Sequence, residues 1–153
     1  MAVPNIIIPV EDANDMFVNF SRTVNSNKDS QFVTLNYQEL KDYIAFIDSQ
    51  VKNTNIKVEG LRFYFGKYPN GSLPSGRIPS NPDSTTFFIN PTTKFPNIQG
   101  DISFAISQGI GAKKAIAVGD IINKKSLGTF QSLSANKGQF PPPPHAGDTN
   151  DYH

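Results

Sequence analysis

A chain of 153 residues is long enough for one domain that buries its own core. Its 14 basic and 13 acidic residues leave a net charge of +1, so composition supplies no general attraction to nucleic acid or to an anionic membrane. Cysteine is absent, which excludes disulfides, thiolate nucleophiles and cysteine-bound zinc. No stretch approaches the roughly 20 apolar residues of a membrane span, and the N-terminus lacks the basic start of a signal peptide. The expectation is a cytoplasmic protein without a membrane span.

Residues 1–9 read as an extended arm, with the β-prone run Ile6, Ile7, Ile8 pinned between Pro4 and Pro9. The arm either covers its own domain's core or lies on a neighbouring subunit or partner. Residues 10–25 follow as a helix, with Val10, Ala13, Met16, Phe17, Phe20 and Val24 at three- and four-residue steps. Glu11, Asp12 and Asp15 suit the positive end of its dipole better than they suit a metal cluster.

A polar turn leads to a short strand over residues 31–34, then to a second helix over 36–52. Asn36 is placed to cap it, with Glu39 three residues on and Leu35 able to staple to Leu40. Leu40, Tyr43, Ile44, Ile47 and Val51 supply its apolar stripe.

The densest aromatic run comes next, Gly60-Leu61-Arg62-Phe63-Tyr64-Phe65-Gly66-Lys67-Tyr68. It alternates, with Leu61, Phe63 and Phe65 facing one way and Arg62 and Tyr64 the other. Bounded by glycines and Pro69, it reads as a strand in the middle of a sheet. Residues 69–84 form a long loop of turn-forming residues, and residues 85–90 offer an antiparallel mate that Pro91 stops. Beyond residue 92 the pattern weakens. Residues 102–106 alternate like a strand yet could begin a helix, residues 115–118 form a short β-like run, and residues 129–133 form a last strand or irregular cover. Residues 136–153 make a tail around Pro141, Pro142, Pro143 and Pro144, expected to be partly disordered unless it docks.

The succession of the capped helix, the aromatic strand and its mate ending in Pro91-Thr92 resembles a group of small bacterial proteins of unknown function. These share a G-[IL]-R-[IF]-Y-F-G-x-Y strand and a hairpin mate ending in P-T. The resemblance spans residues 10–92 and implies an α+β fold without implying an activity. Such proteins tend to carry cysteine beside the late prolines; Phe140 and His145 flank them here.

His145 and His153 are the only histidines and both lie in the tail, so a histidine-based relay or metal site in the domain body is excluded. Glu59, Asp101 and Asp120 are scattered, and their spacing gives no reason to pair them. Gly109-Ile110-Gly111-Ala112-Lys113-Lys114 lacks the spacing of a phosphate loop and reads as a turn with solvated lysines. Arg62, Tyr64, Lys67 and Tyr68 only superficially match an RNA-binding sheet.

The architecture expected is a single α+β domain over residues 10–135, with two amphipathic helices on one face of a small, mainly antiparallel sheet. No catalytic, cofactor or metal residue is assigned, and no nucleic acid is expected. Elimination favours a non-catalytic interaction or assembly protein with a protein partner or a second copy. Its candidate surface comprises Ile6, Ile7, Ile8, Arg62, Tyr64, Tyr68 and Pro141, Pro142, Pro143 and Pro144. The alternatives are a small hydrolase or lyase using Asp/Glu, Tyr64 and Arg62, and single-strand nucleic-acid binding on the sheet.

Overall fold

A computed structural model of the chain describes residues 4–23, 34–80, 82–123 and 128–136. The fold is α+β with a mainly antiparallel five-stranded sheet. The described residues divide into two compact units, one from residues 4–23, 68–80 and 82–85 and one from residues 34–67, 86–123 and 128–136.

The first unit contains helix α1 (Val10–Ser21), which Pro9 precedes and which carries Glu11 and Asp12 in its opening turn. The helix starts where periodicity put it but ends at Ser21, short of residue 25, and its covered side is not the expected stripe. Ala13, Asn14, Phe17 and Val18 are half-buried, whereas Val10, Met16 and Phe20 are exposed. The arm also departs from expectation. The Ile7 N–H bonds to the Pro4 carbonyl at 3.1 Å, so the run begins in a turn. Ile6, Ile7 and Ile8 are all exposed, so they do not cover a core. The 69–84 loop is closed at its mouth, where the Tyr68 N–H donates to Ser84 and the Asp83 N–H donates to the Tyr68 carbonyl. Its tip turns between Leu73 and Arg77, and Gly76 takes the φ of +85° that such a turn requires.

The second unit is built on helix α2 (Tyr37–Val51). Asn36 caps it as expected, its Oδ1 accepting from the N–H groups of Gln38 and Glu39 at 2.9 and 3.1 Å. Ile47 is fully buried, while Leu40, Tyr43 and Val51 are half-buried and Ile44 is exposed. The strands are β1 (Gly60–Lys67), β2 (Thr85–Lys94), β3 (Asp101–Gln108), β4 (Ala115–Ala117) and β5 (Thr129–Gln131), with the short helix α3 (Val118–Ile122) after β4. The order is β1-β2-β3-β4, and β5 also pairs with β3.

This order moves the centre of the sheet. Among the described residues the aromatic run is β1, an end strand beside β2, and not the middle strand that its composition suggested. The hub is β3, from the stretch with the weakest signal. Along β3, Ser103 pairs with Thr92 on β2, Phe104 with Ala117 on β4, and Ile106 with Gln131 on β5. Phe104, Ile106 and Leu133 form the core cluster, each 1% exposed or less, with Val51, Ile56, Val58, Phe95 and Ala115 packed around them.

β2 also continues through Pro91 to Lys94 and does not stop there. The reason is where the missing N–H falls. Ile89 exchanges both backbone hydrogen bonds with Ala135, and Thr93 pairs with Ile102 of β3. Backbone groups alternate sides along a strand, so Pro91 faces the same edge as these two residues. It occupies the point where the neighbour changes from the Ala135 segment to β3. No ladder bond is lost there, and the ring is fully buried.

Candidate functional site

Strand β1 presents two different faces. Thr92 Oγ1 bonds to the Gly60 carbonyl at 3.3 Å, and Gly66 lies against Thr86, so β1 and β2 run antiparallel. On the face of Leu61, α2 meets the start of β1 at a cleft of about 250 Å³ lined by Ile44, Ile47, Val58 and Leu61. Earlier in α2, Leu40 and Tyr43 share a cleft with Phe87 and Ile89 of β2 instead. The helix therefore crosses from β2 to the beginning of β1 and leaves the rest of that strand uncovered. Phe63 touches Phe87, ring centroids 5.8 Å apart, and is half exposed; Phe65 is 87% exposed. Phe65 thus reaches solvent although it shares a strand face with Leu61.

The opposite face is polar and ordered. Tyr64 stacks on Phe88 at 4.9 Å, and its hydroxyl lies 2.8 Å from Ser103 Oγ. Arg62 is exposed and donates from Nη2 to the Asp101 carbonyl at 2.7 Å. The Ser103 hydrogen bond holds the Tyr64 phenol below its ordinary pKa, helped by Arg62 and opposed by burial. Asn90, beside this group on β2, is 3% exposed and its Oδ1 has no hydrogen-bond partner. The Tyr64 and Ser103 hydroxyls share one hydrogen bond in which either can donate. The carboxylates considered from the sequence have other surroundings. Glu59 pairs with Lys57 at 3.2 Å, Asp101 with Lys94 at 3.3 Å, and Asp120 lies in the first turn of α3. Among the described residues no group of three or more His, Cys, Asp or Glu could hold a metal ion.

Of the candidate surface residues, Ile6, Ile7, Ile8 and Arg62 are exposed and Tyr64 is half-buried. Tyr68 is a correction. It is only 8% exposed, its backbone tied on both sides at the loop mouth, and contributes no open surface. Residues 31–33 of the strand expected over 31–34, the four prolines, His145 and His153 lie outside the described residues.

The structure also gathers residues that sequence order kept apart. A cleft of about 730 Å³ is lined by Lys52, Lys94, Lys113 and Lys114, with Asn53, Phe95 and others. The pair Lys113-Lys114 was visible as a basic turn; its meeting with Lys52 and Lys94 was not.

No protein family, curated protein or solved structure matches the chain. Among the described residues no helix is long and apolar enough to cross a membrane.

Proposed function

We propose that this chain is a non-catalytic assembly protein that pairs with a second copy of itself along β1. The observation that carries the reading is an end strand with an aromatic side chain, Phe65, left 87% exposed beside it. Among the described residues no strand lies on the far edge of β1. Such an edge is a template for further pairing, which proteins ordinarily blunt with charge, proline or a bulge. Here Leu61, Phe63 and Phe65 line one face instead. An antiparallel pair of β1 strands centred on Phe63 sets Leu61 opposite Phe65 of the second copy, and Glu59 opposite Lys67. Apolar and charged residues are both complementary in that register. The net charge of +1 opposes self-association little.

The test is sedimentation velocity across a concentration series. The expected result is a dimer that Phe65→Lys converts to a monomer with unchanged circular dichroism. A wild-type chain that stays monomeric throughout overturns the reading. Association that survives Phe65→Lys but is lost on deleting residues 1–9 or 141–153 moves the interface to the arm or tail.

A second reading, a small hydrolase or lyase, draws support from the Tyr64–Ser103–Arg62 cluster. It requires turnover of a small molecule that Tyr64→Phe abolishes without altering the sedimentation behaviour.

A further inference from the structure

The lysine-lined cleft lies within the second unit, and its geometry is independent of β1 pairing. The chain carries nearly equal numbers of basic and acidic residues, so an average surface would place a carboxylate near each lysine. This cleft gathers four lysines and no carboxylate among its lining residues. At its rim Asp101 pairs with Lys94 at 3.3 Å, with Lys94 still 67% exposed. Like charges brought together this way raise the local potential well above what a net charge of +1 suggests.

The positions are fixed by backbone bonding on three elements. Lys94 ends β2 in register with Asp101. Lys114 is held to β3 twice, its N–H donating to Ser107 Oγ and its carbonyl accepting from the Ser107 N–H, both at 2.9 Å. Lys52 closes α2, its N–H bonded to the Asp48 carbonyl. The end of a helix is ordinarily hostile to anions, because free carbonyls point outward. That hostility is blunted here. The Val51 carbonyl accepts from both the N–H and the hydroxyl of Thr54. Phe95, half-buried against the core cluster, gives the cleft an apolar wall.

We infer that this cleft binds a small phosphorylated ligand of the nucleoside di- or triphosphate class. A single phosphate would fill a minor part of about 730 Å³, a volume in the range that encloses a small organic molecule. Several lysine ammonium groups suit a chain of phosphates, each binding as a point charge, and the apolar wall suits a ring.

The experiment titrates the full chain with inorganic pyrophosphate and with ATP at low salt, by calorimetry and by amide chemical-shift mapping. The expected result is saturable binding that shifts residues 52–55, 94 and 113–115 and weakens as salt is added. Lys114→Glu lowers affinity roughly tenfold or more, the loss of a close charge-assisted contact. Lys41→Glu makes the same charge change about three turns away on α2 and, compared at about 0.15 M salt where screening acts over about 8 Å, leaves affinity within about twofold. No saturable binding overturns the inference, as does equal sensitivity to the two variants. Retention of oligonucleotides without binding of either probe also overturns it, and points to a nucleic-acid surface instead.

Discussion

Tyr43 joins three separate stretches of the second unit through one proton. Its hydroxyl donates to the Leu133 carbonyl at 2.7 Å, with the Ile89 carbonyl 3.2 Å away. Burial pushes the phenol up to about 12 from an ordinary 10.0. The folded chain therefore holds a proton that the unfolded chain releases between these two values. Stability from this group is complete below pH 10.0 and falls as pH rises toward about 12. Tyr43→Phe should cost about 1–2 kcal/mol near neutral pH, by leaving a buried carbonyl short of a donor. Urea melts at several alkaline pH values should show a shallower decline for the variant, the difference between the two chains being the part that Tyr43 carries. Tyr64 behaves in the opposite sense. Ultraviolet titration should find it ionising before Tyr43, and Ser103→Ala should move it back toward the ordinary range.

At the scale of elements, α2 stands on its cap. Asn36 satisfies two of the N–H groups that a helix start leaves open, so Asn36→Ala should destabilise the chain by about 1 kcal/mol, and Asn36→Ser far less. A chemical denaturation midpoint with an unchanged slope is the check. This helix was legible because its signals are local: the cap lies one residue before the first turn, and the stripe repeats at the helical period. The existence of β1 was legible for the same reason. Its place in the sheet was not, since strand order depends on which distant segment pairs with which edge. Pro91 shows the same limit. A proline argues against the interior of a strand only where a hydrogen bond is due, and no bond is due where β2 changes neighbours.

For the whole molecule, two phenylalanines make the sharpest contrast. Phe104 is 1% exposed at the centre of the core cluster, and Phe65 is 87% exposed on an end strand. Phe104→Ala should cost about 3–5 kcal/mol, through lost burial and the cavity left behind. Phe65→Ala should change the stability of the monomer by no more than about 0.5 kcal/mol, as expected of a surface site. Both figures come from urea denaturation at low protein concentration. If Phe65→Ala proves as costly as Phe104→Ala, a monomer with an open β1 edge is the wrong description. The candidate site divides in the same way. Arg62 and Tyr64 could be assigned to one face of a strand from alternation alone, whereas Ser103 beneath Tyr64 and Lys52 near Lys114 come from far along the chain.

Periodicity, capping and turn chemistry act over a few residues, and the sequence alone determined what acts at that range: the α+β class, both long helices, the wide hairpin and the lack of histidine or cysteine chemistry in the domain body. Pairing and burial join residues tens of positions apart. Tertiary structure therefore decided that β3 is the hub, that Phe65 faces outward, and that lysines from three elements share one cleft.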